Sequence, residues 1–137
     1  MVDNVVKYMN EAFKEAKKAY KKKEVPVGAI IVKEDKIIAR AYNLRETKKN
    51  VLAHAEILCI NKACKKLKAW RLEECEMYVT LYPCQMCLGA IKQARIKKVY
   101  FGALDNNTKE YDEKLLINME DQECSKILSD FFKDLRK

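Results

Sequence analysis

The sequence has 137 residues, of which 49% are hydrophobic and only three are glycine, so it predicts one compact domain over 1–137. No apolar run is long enough to cross a bilayer, and the N-terminus lacks the apolar core of a secretory signal, which predicts a cytoplasmic protein with no membrane anchor. The net charge of +8 fits a polyanionic partner such as RNA.

The first third of the chain predicts one helix followed by a β-hairpin. Apolar residues recur at helical spacing over 3–22, which is typical of an amphipathic helix. Two β-rich runs follow, at 27–32 and 37–42, and the polar residues 33–36 join them as a hairpin turn. A polar loop is predicted next, over 43–52.

The remainder of the chain alternates helices and strands. The predicted elements are a helix at 54–67, a strand at 77–81, a helix at 84–94, a strand at 98–101, a charged loop at 105–113, a short edge strand at 115–118 and a helix at 121–133. This order indicates βαβ units. We therefore expect an α/β fold with three α/β/α layers around a central mixed, mostly parallel sheet of about five strands.

Four residues in two short motifs have the chemistry of a metal centre. His54, the single histidine, stands two residues before Glu56, and Pro83 precedes the Cys-x-x-Cys pair of Cys84 and Cys87. One imidazole and two thiolates are three zinc ligands, and they leave the fourth tetrahedral position to water, as in catalytic zinc sites. The combination of H-x-E with P-C-x-x-C is the known signature of zinc nucleobase deaminases. The sequence therefore predicts one Zn²⁺ per chain.

The predicted helix starts decide whether these side chains can meet. Pro83 suits the first position of a helix, which would place Cys84 and Cys87 on one face of its first turn. In a regular helix, residues two apart point to nearly opposite sides, so His54 and Glu56 can share a site only where the chain is still entering the helix. Two helix N-termini must then meet at one metal. There, zinc would activate water to hydroxide, and Glu56 would carry the protons.

The alternative interpretation of the same residues is a purely structural zinc site, which would only stabilise the fold. It would need a fourth protein ligand, for which Cys59, Cys64 and Cys75 are the candidates. The pairing of the two motifs on successive helix starts favours the catalytic interpretation. The cysteines outside the motif are expected to be reduced thiols rather than disulfides.

Further motifs extend this pattern along the chain. They are EVPVGA at 24–29, HAE at 54–56, PCQMCLGA at 83–90, ARI at 94–96, FGA at 101–103, EC at 123–124 and LSDFF at 128–132. In these motifs and their order, from near residue 3 to near 136, the chain resembles the tRNA-specific adenosine deaminases of the TadA type, in the cytidine deaminase-like superfamily. The C-terminal motifs favour this branch over deaminases of free bases.

The resemblance implies a homodimer that holds a tRNA anticodon stem-loop and converts its wobble adenosine to inosine. It also implies substrate contacts, which residue chemistry alone would not assign, at Asn43, Pro26, Val27, Phe131 and Phe132. The chain departs from the family at Tyr82, where a glutamate is usual, and in the segment 105–122, which is short and lacks a Gly-rich stretch.

Two other functions remain open from the sequence. One is deamination of a free base or nucleoside, such as guanine or cytosine, which the short 105–122 segment favours. The other is a non-catalytic subunit that binds RNA, although such subunits typically lose the proton-carrying glutamate and Glu56 is present.

Overall fold

The computed structural model describes the backbone of residues 2–135 and the side chains of residues 4–135, so the predicted domain limits at 1 and 137 lie outside the described residues. In chain order the elements are α1 Val2–Lys21, β1 Gly28–Lys33, β2 Lys36–Tyr42, α2 Arg45–Lys48, α3 Ala55–Leu67, β3 Cys75–Leu81, α4 Gln85–Gln93, β4 Lys98–Ala103, β5 Leu116–Asn118 and α5 Gln122–Leu135. Within 2–135, no helix combines the length and apolar composition that a bilayer crossing needs.

The strands form one sheet in the order β2-β1-β3-β4-β5. Strands β3, β4 and β5 are parallel, whereas β1 is antiparallel to both of its neighbours, β2 and β3. The predicted mixed, mostly parallel five-stranded α/β fold is confirmed, since four of the five strands run in one direction and β1 runs against them. Helix α3 carries the chain across β1, so that β3 enters the sheet beside β1 and not beside β2.

The two faces of the sheet are covered by different helices. Because side chains alternate across a strand, Ile31 and Met77 face α3 and α4, whereas Ile30 and Tyr78 face α1 and α5. Both groups belong to fully or almost fully buried clusters. The fold therefore has three layers, as predicted.

The hairpin turn is shorter than the four-residue turn, 33–36, that the sequence predicts. β1 extends to Lys33 and β2 begins at Lys36, which leaves Glu34 and Asp35 as the turn. Their φ angles are 50° and 60°. Two successive positive φ values are typical of the type I′ turn, whose twist matches that of paired strands.

Two local predictions were wrong. The loop predicted over 43–52 contains the single-turn helix α2, which is too short to show helical periodicity in a sequence. Pro83 does not take the first helical position. Cys84 keeps extended dihedrals (φ −68°, ψ 171°) as the N-cap of α4, and its carbonyl accepts a hydrogen bond from the Leu88 N–H, so the first helical residue is Gln85.

Helix α1 approaches the sheet closely at Gly28. Its facing residues Ala12, Ala16 and Ala19 are small and completely buried. A Cβ atom at Gly28 would lie 2.2 Å from the Ala12 carbonyl oxygen and 2.4 Å from the Ala16 nitrogen. The absence of a side chain at Gly28 is therefore what allows α1 to pack on β1.

We expect Gly28→Ala to lower the free energy of unfolding by about 3 kcal/mol, because the new methyl group would meet backbone atoms that cannot move without shifting α1. Urea denaturation of both proteins measures this. Gly89→Ala is the matched control, since a Cβ at this exposed position in α4 meets no atom within 4 Å. That variant should gain about 0.5–1 kcal/mol of stability. Wild-type stability in Gly28→Ala would contradict the packing described here.

Candidate active site

The N-termini of α3 and α4 meet on one face of the sheet and bring three predicted ligands together. His54 is the N-cap of α3 and Cys84 the N-cap of α4, while Cys87 lies in the first turn of α4. The Nδ1 atom of His54 lies 3.7 Å from the Cys84 sulfur and 3.6 Å from the Cys87 sulfur. Both sulfurs therefore face the same ring nitrogen.

These three side chains can hold a metal ion. Their ligand atoms all lie within 4.8 Å of one another. A tetrahedral ion with the usual zinc–nitrogen and zinc–sulfur bond lengths would separate nitrogen from sulfur by about 3.6 Å, which agrees with the two observed distances. Within the described chain, no other Cys, His, Asp or Glu belongs to the group, so the structure does not bring a fourth cysteine to a closed site.

The surroundings of the ligands favour a bound cation. Burial lowers the pKa of His54, and Arg45 lowers it further, so the imidazole is held neutral as a metal ligand must be. Burial also raises the pKa of the Cys87 thiol, and the nearby Glu56 adds to this effect. A positive ion at the site would provide the charge that this thiol needs to ionise.

Glu56 follows His54 by two residues and still faces the same site. His54 has extended backbone dihedrals (φ −75°, ψ 151°) and so lies outside the regular helix. Its side chain can therefore point to the same side as that of Glu56, which two residues of a regular helix at this spacing could not do. The Glu56 side chain is 4% exposed. Burial raises the pKa of its carboxyl to about 7. Such a group can both accept and release a proton near neutral pH.

A cavity of about 150 Å³ opens beside these residues. Its walls come from the segment before β1, the end of β2, the starts of α3 and α4, and the end of β3. The lining residues are Val25, Val27, Asn43, Arg45, His54, Ala55, Glu56, Leu81, Tyr82 and Cys84. Two side chains of the group that could hold a metal, His54 and Cys84, thus share one small cavity with the buried Glu56 carboxyl and several apolar walls.

Asn43 lies in this cavity wall and also holds the local chain in place. Its amide nitrogen donates to the Val25 carbonyl at 3.2 Å, and its side-chain oxygen accepts from the Arg45 N–H at 3.2 Å. A primary amide has two donor hydrogens and two acceptor positions. One donor and one acceptor position of Asn43 therefore remain for a ligand.

Of the other four predicted substrate contacts, the structure places some at the cavity or the groove beside it and buries the others away from both. Val27 lines the cavity, whereas Pro26 is buried and does not belong to its lining. Phe132 is 45% exposed and lines a groove of about 370 Å³ that shares Val25 and Leu81 with the cavity. Phe131 is buried, and its ring packs at 6.1 Å from that of Tyr20 in α1. The structure does not bring Phe131 to the site.

Among the residues of the cavity wall to which the sequence assigned no role, Tyr82 and Arg45 are the two with polar side chains. Tyr82 is almost buried and packs edge-on against Phe101 at 5.2 Å. The position of Tyr82 directly before the P-C-x-x-C motif is the feature of the sequence that could have identified it as a residue of the cavity wall. Arg45 is exposed at the cavity wall, and no motif surrounds it.

Glu24 fixes the loop that provides Asn43 and Arg45. Its buried carboxylate accepts hydrogen bonds from the Glu46 N–H at 3.1 Å and from the Thr47 N–H and hydroxyl, each at 2.6 Å. Burial opposes ionisation of Glu24, but the hydrogen bonds from Thr47 and Glu46 outweigh it and lower the pKa. The carboxylate thus caps α2 from outside the helix.

Comparisons with known proteins identify relatives along almost the whole chain. The MafB19-like deaminase family matches residues 3–136. A tRNA-specific adenosine deaminase of Bacillus subtilis is 48% identical, over 95% of this chain and 89% of its own length. These findings confirm the predicted family.

Solved structures support the same assignment. One from studies of A-to-I editing by tRNA:A34 deaminases has a TM-score of 0.83 and 34% identity, over 90% of this chain and 99% of its own. A guanine deaminase of Bacillus subtilis has a TM-score of 0.70 and 31% identity, over 96% and 93%. The fold is thus shared by deaminases of tRNA and of a free base.

We expect Glu24→Gln to lower the free energy of unfolding at pH 7 by about 2 kcal/mol, because it weakens charge-assisted hydrogen bonds to a buried carboxylate. The folded state lowers the pKa of Glu24, so this stabilisation is complete above the unfolded pKa of about 4.3 and is lost as the pH falls through the folded pKa. Urea denaturation from pH 7 down to pH 3 should show the wild type and the variant converging at low pH.

The exposed residue Glu110 provides the matched control. Glu110→Gln should change stability by less than about 0.5 kcal/mol at every pH. A constant stability gap between wild type and Glu24→Gln across the pH range would contradict the assigned role of the carboxylate.

Proposed function

This chain belongs to the MafB19-like deaminase family and to the tRNA-specific adenosine deaminases, and we propose that it deaminates the wobble adenosine of a tRNA anticodon loop to inosine. The observation that carries this function is the convergence of His54, Cys84 and Cys87 with the buried Glu56 on one cavity. The reaction consumes water and releases ammonia. The tRNA-specific adenosine deaminase of Bacillus subtilis aligns with 95% of this chain.

One zinc ion per chain is the proposed cofactor. The Nδ1 of His54 and the sulfurs of Cys84 and Cys87 would hold it, since a nitrogen and two sulfurs at tetrahedral spacing suit zinc. When bound, zinc supplies the activation of a water molecule toward deprotonation near neutral pH. The reduced thiols that this site requires, together with a tRNA substrate, fit the cytoplasm.

Glu56 is the proposed proton carrier for every step. Its carboxylate takes one proton from the attacking water as the oxygen adds to C6 of adenine, and passes this proton to N1 of the ring. It then takes the second proton, from the hydroxyl group now on C6, and gives it to the amino group, which leaves as ammonia while C6 becomes a carbonyl. Burial of Glu56 keeps bulk water from competing for these protons and raises its pKa above that of an exposed glutamate, which favours transfer in both directions.

Recognition of the base is assigned to the opposite walls of the cavity. The free donor and acceptor of Asn43 can bond to polar atoms on the purine edge, while Val27 provides an apolar surface for the ring. Pro26 would act indirectly, by fixing the chain between Val25 and Val27. The cavity is too small to admit a base inside a duplex, so the target must be unstacked, as a loop base can be.

The groove beside the cavity is the proposed path of the RNA chain. It is lined by Phe132 and by Leu104 and Asn106 of the β4–β5 connection. The exposed Phe132 ring can stack on an unpaired base, and the exposed Arg45 can meet a phosphate. The buried Phe131 would support Phe132, whose ring lies 5.4 Å away, rather than contact RNA.

A homodimer is proposed for the intact enzyme. Val51, Leu52 and Trp70 are large apolar side chains that are each more than half exposed. Leu52 and Val51 lie two and three residues before His54, so a partner that covers them would close the surroundings of the cavity. Size-exclusion chromatography with light scattering tests this, and a monomer at micromolar concentration would contradict it.

The first test concerns Glu56. We expect Glu56→Gln to reduce the deamination rate by about 10²–10⁴-fold or more, because one carboxylate serves several proton transfers. Zinc content, measured by mass spectrometry, should remain one ion per chain. Glu110→Gln, which changes an exposed carboxylate in the same way, should retain wild-type activity. An active Glu56→Gln enzyme would rule out the proposed mechanism.

The second test concerns the substrate. The enzyme should form inosine in an anticodon stem-loop that carries adenosine at the wobble position, and should not release ammonia efficiently from free guanine, cytosine or adenosine. Binding should weaken linearly with the logarithm of the salt concentration, because phosphate contacts release counterions. Asn43→Ala should slow turnover while zinc stays bound. Efficient use of free guanine without stem-loop turnover would support the alternative function instead.

A further inference from the structure

A second concave site lies at the edge of the sheet opposite the catalytic cavity. It is a cleft of about 710 Å³ between α1, the β1–β2 turn and the starts of β3 and β4. The catalytic cavity lies at the other ends of these strands. We call this region the acidic cleft, and define it by Tyr8, Tyr78 and Tyr100 together with the carboxylates of the surrounding segments.

Three tyrosine rings line the acidic cleft in a row. The Tyr78 ring stacks on Tyr100 with centroids 4.6 Å apart and an interplanar angle of 8°, and lies 5.3 Å from Tyr8. The Tyr8 hydroxyl donates to the Asp35 carbonyl at 2.8 Å. Tyr78 is only 2% exposed, and its hydroxyl, which has no hydrogen-bond partner among residues 4–135, is the part of the side chain that is open to the cleft. A ligand in the cleft could satisfy this hydroxyl.

The cleft is negative although the protein is strongly positive. Glu34, Asp35, Glu74 and Glu76 line it, and Lys97 is its single basic lining residue. None of the four carboxylates forms an ion pair within the described residues. This concentration of unpaired negative charge contrasts with the net charge of +8 of the chain.

The negative field reaches the tyrosine hydroxyls. Burial raises the pKa of Tyr8, and Asp35 and Glu76 raise it further. Burial and Glu76 likewise raise the pKa of Tyr100. Protonated phenols and a negative potential favour a cationic ligand, whose charge can also interact with aromatic rings.

The spacing of the carboxylates selects the kind of cation. A metal ion needs several ligand atoms close together, and within the described chain the single group of this kind is His54, Cys84 and Cys87. The carboxylates of the cleft instead come from two separate segments, the β1–β2 turn and the start of β3. They suit a long molecule with separated charges better than a point charge.

We propose that the acidic cleft binds a linear alkyl polyamine. Its ammonium groups would pair with Glu34 and Asp35 from one segment and with Glu74 and Glu76 from the other. Its methylene groups would lie against the tyrosine rings, and the Tyr78 hydroxyl would accept a hydrogen bond from an ammonium. This binding is separate from deamination, because the cleft shares no lining residue with the catalytic cavity.

Calorimetric titration of the zinc-loaded full chain with spermidine, at constant ionic strength, tests the proposal. We expect saturable binding of one spermidine per chain. The double variant Glu74→Gln, Glu76→Gln should bind about tenfold more weakly, since it loses two charge pairs. The double variant Glu110→Gln, Glu113→Gln changes the net charge equally outside the cleft and should bind within about twofold of wild type.

Two smaller changes refine the test. Glu34→Gln lies on the exposed hairpin turn and should weaken binding without disturbing the core. This variant replaces the Glu74→Gln, Glu76→Gln double variant if circular dichroism shows that the double variant is unfolded. Tyr78→Phe keeps the ring and removes the hydroxyl, and should weaken binding about threefold. Equal weakening by the control pair, or equally effective competition by Mg²⁺ at the same concentration, would overturn the proposal. Both readouts measure binding, so they do not depend on the deaminase assignment.

Discussion

The chemistry of this protein depends on two helix N-termini meeting at one point. Strands β2 and β3 flank β1 and run in the same direction, so their carboxyl ends lie at one edge of the sheet. Helix α3 follows β2 and α4 follows β3 on the same face, and each begins at that edge. His54 and Cys84 are the two N-caps, so the strand order itself sets the distance between them.

This arrangement also balances opposing electrostatic effects. Burial raises the pKa values of Glu56 and Cys87, which disfavours their charged forms. The partial positive charge of a helix N-terminus acts in the other direction, but is too small to support three ionised groups in one buried cluster. A metal cation removes this difficulty for the sulfur ligands. Metal binding and stability of the folded site should therefore be coupled.

The sequence allowed the local elements, and the group of side chains that could hold a metal, to be predicted, because both leave short-range patterns. Helical spacing identified α1 and α5, and the two motifs identified His54, Glu56 and the cysteine pair. The antiparallel pairing of β1 with β3 was not predictable in this way, since it depends on which side of β1 the chain re-enters. The roles of Glu24 and Tyr82 likewise depend on contacts between distant segments. Phe131 and Phe132 are neighbours in the sequence, and only tertiary packing separates the buried ring from the exposed one.

The short segment between β4 and β5 connects the cavity to the groove beside it. Asp105 folds this segment without glycine, by accepting hydrogen bonds from the Asn107 and Thr108 N–H groups at 3.0 and 2.6 Å. Tyr111 then packs 5.7 Å from the Tyr82 ring, which forms a wall of the cavity. Residues 104–106 of the same segment line the groove. A change of length here would move the groove and the cavity wall together, so on the proposed RNA path the segment would couple the shape of the RNA to the fit of the target base.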